Sequence, residues 1–296
     1  MLRCSCFVSL VALALFPLTT SSGQTYAFQT DEAIFVADLE QPEAPAKKLT
    51  GGYDPAISPD GKAVAFTQQD EDGNRRIAIV DVETAKVRLV AGIPGENAFL
   101  PAWSIDGKQL YFHHFGTSNW RLARVDAEGG GFTIILEEGG REAGAYGPFP
   151  NGNGWLCHDL DSFFVLKAGE IFEVPNSTNV TGLSLPSRLS VAPDCQRALF
   201  EIFVEEDMGP DDEGPPAAIS LIDLTTGKRT QITARGINGM YPNWLPGGEE
   251  FLFAGYDVKT NQSSIYRMKL EPGAKPVLVR KNASWPSVAT GTRSSR

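Results

Sequence analysis

The segment Leu100-Pro101-Ala102-Trp103-Ser104-Ile105-Asp106-Gly107-Lys108, continuing as Gln109-Leu110-Tyr111-Phe112, sets the architecture because the chain repeats it. An earlier copy reads Asp54-Pro55-Ala56-Ile57-Ser58-Pro59-Asp60-Gly61-Lys62, then Ala63-Val64-Ala65-Phe66. A later one reads Tyr241-Pro242-Asn243-Trp244-Leu245-Pro246-Gly247-Gly248, then Glu249-Glu250-Phe251-Leu252-Phe253. Weaker copies run from Pro150-Asn151-Gly152 to Trp155-Leu156-Cys157 and from Val191-Ala192-Pro193-Asp194-Cys195 to Ala198-Leu199-Phe200. A truncated copy, Trp285-Pro286-Ser287-Val288, closes the chain. The aligned positions Pro55, Pro101, Tyr146, Leu189, Pro242 and Pro286 are separated by 46, 45, 43, 53 and 44 residues. A period of this length means stacked copies of one supersecondary unit.

Each unit reads as four strands. The run up to Trp103 or Trp244 is short and apolar, as in a strand covered on both faces. Asp-Gly then makes a tight turn, since Gly accepts a positive φ and Asp bonds back to the backbone. The second strand ends at Phe66, Phe112, Cys157, Phe200 or Phe253. Third strands read Arg76–Asp81, Arg121–Asp126 and Ala218–Asp223; fourth strands lie at Val87–Val90, Phe132–Leu136, Arg229–Thr233 and Pro276–Val279. Four antiparallel strands repeated radially form a β-propeller blade. At the N-terminus, Thr25–Phe28, Ala33–Asp38 and Lys47–Thr50 supply second, third and fourth strands, while Ser284–Ala289 supplies the missing innermost one. The expectation is an all-β, six-bladed β-propeller of four-stranded antiparallel blades, closed by pairing N-terminal and C-terminal strands in one blade. The other blades fall near 51–92, 97–137, 141–178, 184–234 and 237–280.

At these residues the chain resembles the Pro-Asp-Gly type of WD40-like repeat and is most similar to the propeller of the TolB family. The pattern Pro-x-Trp-Ser-x-Asp-Gly-Lys at 101–108 carries that resemblance, which extends over nearly all of the chain after the leader. In the blade near 141–178, Pro148 and Asn151 replace the Trp and Asp of the pattern. The α/β domain that precedes the propeller in TolB proteins is not expected between the leader and the first strand. The resemblance implies export to the periplasm and binding of protein partners.

Residues 1–23 read as a secretory signal peptide: Arg3, an apolar run from Phe7 to Leu18, then small residues to Gly23. The propeller domain is expected over 24–296. Of 296 residues, 26 are Lys or Arg and 36 are Asp or Glu, a net charge of −10 that becomes −11 when Arg3 leaves with the leader. That balance argues against a nucleic-acid binder, which needs a basic face, and against adhesion to anionic lipid. No later segment is long and apolar enough to span a membrane. Cys157 falls in a strand and Cys195 in a turn of the next unit, so two unpaired thiols are expected.

The candidate chemistry is sparse. His113 and His158 occupy equivalent positions just after the second-strand core residue, where other blades carry Thr67, Glu201 and Ala254. Two such imidazoles could line a cleft. A zinc site needs three or four converging ligands and no third is apparent, so no metal and no cofactor are expected. The recurring turn aspartates Asp60, Asp106 and Asp194 read as turn hydrogen bonding. The acidic stretch 205–213 reads as a solvated loop. No nucleophile elbow, phosphate loop or dinucleotide fingerprint occurs.

Two functions remain. The first is a monomeric, exported, non-catalytic binding or scaffold propeller of the cell envelope. It would engage a protein partner through loops on one face that carry Phe99, Phe115, Trp120, Arg121, Tyr146, Arg235, Met240 and Tyr256. Aromatics with Arg are common interface anchors. The alternative is a polysaccharide-acting lyase or hydrolase, or a carbohydrate-binding propeller, with His113 and His158 at its site.

Overall fold

The computed structural model describes residues 23–115, 120–136, 141–180, 182–183, 185–204, 216–234, 237–257 and 259–291. Residues 1–22, within the expected leader, and the acidic stretch 205–213 lie outside them. Every element among the described residues is a strand, and the strands form six sheets in a ring. Blade I joins β25 (Ser284–Val288), β1 (Thr25–Thr30), β2 (Ala33–Asp38) and β3 (Lys47–Gly51), in that order from the axis outward. Blade II is β4 (Tyr53–Ile57), β5 (Ala63–Gln69), β6 (Arg75–Asp81) and β7 (Val87–Leu89). Blade III is β8 (Ala98–Trp103), β9 (Gln109–Phe115), β10 (Trp120–Asp126) and β11 (Thr133–Ile134). Blade IV is β12 (Ala145–Pro148), β13 (Trp155–His158), β14 (Phe163–Lys167) and β15 (Glu170–Glu173). Blade V is β17 (Ser190–Val191), β18 (Arg197–Phe203), β19 (Ala217–Asp223) and β20 (Arg229–Gln231); blade VI is β21 (Asn238–Trp244), β22 (Glu250–Asp257), β23 (Gln262–Lys269) and β24 (Val277–Lys281). A two-residue strand, β16 (Ser187–Arg188), pairs parallel with β12 and so stitches blade V to blade IV.

The predicted closure is present: Tyr26 pairs with Val288 and Ala27 with Ser287. Each seam between adjacent blades holds its own apolar cluster. Val64 and Phe66 face blade I across Ala27 and Ile34, while Ala65, between them in sequence, faces blade III across Leu110 and Phe112. Alternating side chains on one strand thus feed two cores, which is why the middle strands carry apolar residues on both faces. The outermost strands lack a second neighbour, and β7, β15 and β20 are exposed along their whole length.

The repeated turn is built as the sequence indicates. Ser104 Oγ donates to Asp106 Oδ1 at 2.6 Å, Lys108 N donates to the same oxygen at 3.1 Å, and Gln109 N donates to Ser104 Oγ at 2.9 Å. Gly107 follows at φ 70°. The Ser104 hydroxyl foremost holds the Asp106 carboxyl below its usual range. These aspartates are committed to turns.

Neither Cys157 nor Cys195 forms a disulfide. No helix among the described residues is long and apolar enough to cross a membrane.

Candidate functional site

Two layers of inner-strand geometry define the axis of the ring. The first is a bulge. Asp54, Leu100, Tyr241 and Trp285 have φ of 54°, 59°, 54° and 52°, and each precedes the proline of its inner strand. The pairing register slips at each of these sites. Four L-residues with positive φ at equivalent positions are the mark of a shared β-bulge, which re-aims the side chain it carries. Arg188 stands at the corresponding position of blade V.

The second layer holds the bulges in place. Gln29, Thr67, His113, His158, Glu201 and Ala254 occupy one equivalent position in the six blades, and all are buried. Gln29 Oε1 accepts from Asp54 N at 3.1 Å, Thr67 Oγ1 from Leu100 N at 3.0 Å, and Glu201 Oε2 from Tyr241 N at 2.7 Å. In each case one blade satisfies the bulged N–H of the next. His113 and His158 belong to this inter-blade layer and do not line a cleft: both are 0% exposed. His113 stacks on Phe99, with centroids 5.4 Å apart, and meets the edge of Tyr146 at 5.0 Å. His158 Nδ1 accepts from Leu160 N at 3.1 Å, and its ring abuts Phe163 at 4.6 Å. Burial lowers their pKa values from the usual 6.5 to about 3 and about 4, so both are neutral. Among the described residues no three His, Cys, Asp or Glu side chains are grouped to hold a metal ion.

Below the bulges, on the side of the Ser-x-Asp-Gly turns, the inner strands enclose a funnel of about 240 Å³. Its walls include Trp103, Tyr241, Trp285, Pro148 and Pro246, and Ile105 stands at a turn on its lip. Arg188 forms its floor. Starting in blade V, the guanidinium reaches across the axis: Nη2 donates to Pro55 O of blade II at 2.9 Å and Nη1 to Pro101 O of blade III at 3.1 Å. The guanidinium carbon sits 5.5 Å from the Trp285 ring centroid, within cation–π range. Tyr241 stacks on Trp285 at 3.7 Å and an interplanar angle of 17°. Asp54, which does not line the funnel, supplies the main opposing charge felt by Arg188. Burial raises the Asp54 pKa, opposed by the Thr67 hydrogen bond and the charges of Arg188 and Arg75.

Arg188 is held there by backbone. Ala145 pairs with Ser187 and Tyr146 with Arg188, and Leu189 N donates to Tyr146 O at 2.7 Å. Gly147 permits the approach, because a Cβ there would lie 2.1 Å from Leu189 O. Trp103 and Trp244 are fixed by their indole N–H groups, which donate to Ala56 O at 2.8 Å and Ser190 O at 3.0 Å of the preceding blades.

The residues nominated from sequence fare differently. Phe99 and Tyr146 are not surface anchors: they lie on inner strands β8 and β12 and are 4% and 0% exposed. Phe99 packs under the Arg75 guanidinium at 3.8 Å. The Tyr146 hydroxyl donates to Leu100 O at 2.5 Å, also lies 3.0 Å from Tyr111 O, and has its pKa raised by burial. Phe115 is 38% exposed at the end of β9. Arg121, Met240 and Tyr256 are half-buried. Trp120 opens β10, and Arg235 lies outside the described residues. The funnel is at the opposite end of the ring from this loop face. Its sequence signal was the repeat itself, since every inner strand must contribute its lower end to one central space.

Comparison with solved structures matches this geometry. TolB from Acinetobacter baumannii superposes with a TM-score of 0.68 at 15% identity, over 90% of this chain and 67% of that one. The fold is that of a TolB-like six-bladed propeller. In a nidogen/laminin complex, a chain covered over its full length superposes with 91% of this one at a TM-score of 0.66 and 13% identity. An oligogalacturonate lyase from Vibrio parahaemolyticus gives 0.53 at 16% identity, over 86% of this TolB-like chain and 72% of the lyase. At these identities the likeness is one of fold. No family model and no curated protein matches the sequence.

Proposed function

We propose that the chain is an exported, non-catalytic binding propeller of the cell envelope, and that it engages a protein partner at the funnel end of the ring. The observation that carries this reading is the blind, aromatic- and proline-lined funnel with a cation at its floor. Concave apolar sites with a few fixed polar groups are the usual places for recognition. The nidogen/laminin neighbour shows this architecture within a protein complex. Export is supported by reading residues 1–23 as a secretory leader, from Arg3 and the apolar run Phe7 to Leu18.

Photocross-linking tests the reading. A benzophenone side chain at Ile105 or Pro246 should capture a defined envelope protein. The same group at Phe115, on the other face, should not. Capture from Phe115 alone, or from none of the three, would overturn the choice of face.

A further inference from the structure

The geometry points to a carboxylate-recognising socket at the funnel floor: Arg188 receives the C-terminal carboxylate of a peptide chain whose last residue is apolar and rests against Trp103 and Trp285. This deepens the docking reading above and rests on it.

Three observations select the ligand. First, the funnel is blind. Arg188 spans the axis and is bonded to carbonyls of blades II and III, so a chain entering from below meets a closed floor. A blind site admits the end of a polymer, not its middle. Second, the funnel is small. Its 240 Å³ lies under the roughly 300–1,000 Å³ of sites that enclose a drug-sized ligand, which suits one terminal residue. Third, the floor is cationic and the walls present aromatic and proline side chains among a few polar ones. Two of the five guanidinium donors are used by Pro55 O and Pro101 O. Neutral carbonyls orient the group without cancelling its charge, and the opposing charge that acts on it, Asp54, lies outside the funnel, so among the described residues the funnel side of the guanidinium faces no anion of the protein's own. A carboxylate on the funnel side would gain charge-assisted hydrogen bonds beside aromatic walls that exclude part of the competing water. The net charge of −10 favours a partner whose remaining surface is basic.

The test uses the full propeller and N-acetylated hexapeptides ending in Phe, Leu or Trp, each made as the free acid and as the C-terminal amide. Binding is read by calorimetry. At least one free acid should bind at least about tenfold more tightly than its amide, as loss of a charge-assisted bond implies. Arg188→Gln should erase that difference. Ile105→Trp, which narrows the lip without touching the floor, should weaken the acids while leaving the melting temperature unchanged. Equal affinity for acid and amide overturns the inference, and so does no binding of any peptide. If the Ile105 cross-link still forms in either case, the docking reading survives the loss of the carboxylate socket. Because the acid–amide comparison is made in the unaltered protein, an Arg188→Gln variant that fails to fold leaves the test intact.

Discussion

The closure of blade I can be weighed with one substitution. Ser287 Oγ accepts the Ile57 N–H at 3.0 Å across the seam between blades I and II, and the two residues are 6% and 5% exposed. In Ser287→Ala that N–H keeps its burial and loses its acceptor. An unsatisfied buried donor costs about 1–3 kcal/mol. For a domain of this size each kcal/mol lowers Tm by roughly 2–4 °C, so a loss of about 2 kcal/mol predicts a fall of roughly 4–8 °C. Differential scanning calorimetry at neutral pH measures it, with Thr290→Ala at an exposed site two residues beyond β25 as the control. Asn243→Ala strikes the other flank, where Asn243 Oδ1 accepts from Val288 N at 3.0 Å, and should cost a similar amount. Midpoints for both variants within about 1 °C of the parent would show that the C-terminal strand is not bonded across its seams as described.

Three further outcomes are expected. His113 and His158 have folded pKa values of about 3 and about 4 against an ordinary 6.5. Between those limits the unfolded chain binds more protons, so stability is full above pH ~6.5 and falls as the pH drops, by on the order of 1–2 kcal/mol per histidine at pH ~5; His158→Gln should flatten urea midpoints across that window, and an unchanged slope would refute the assignment. Gly147→Ala should cost about 1–3 kcal/mol by overpacking against Leu189 O and, by displacing Arg188, reduce acid-peptide affinity in the same calorimetric assay. Burial raises the pKa of the Cys157 thiol, so a chromogenic disulfide added to the native propeller from Gln24 onward should titrate half-exposed Cys195 alone, whereas denaturant without reductant should reveal two thiols.

The ring was legible because the repeat marks both the inner strand and its turn. Pro101-x-Trp103-Ser104-x-Asp106-Gly107 states where β8 ends and β9 begins, and its spacing counts the blades. Closure was legible from two fragments that each lacked what the other supplied. The side-chain roles at the axis were not. Phe99 and Tyr146 sit next to loop segments in sequence, yet each lies on the innermost strand of its blade, packed against the neighbouring blades, so local composition suggested exposure where packing imposes burial. The equivalence of His113 and His158 was visible, but its meaning depended on what the next blade presents, namely an N–H turned inward by a bulge. No propensity announces that bulge, because Asp, Leu, Tyr and Trp all adopt it. The funnel was hidden for a related reason: its parts are spread over the chain from Ala56 to Gly291 and converge only after the ring shuts.

The composite blade also imposes an order in time. β1 (Thr25–Thr30) is synthesised well before the partner that covers its inner edge, since β25 (Ser284–Val288) follows only after five other blades. Until Ser284–Val288 emerges, that edge can hydrogen-bond to any extended segment within reach, including the same strand of another nascent chain. A chain made gradually therefore carries an open template through the synthesis of five intervening blades, and its correct folding depends on holding that template apart until the latching strand follows.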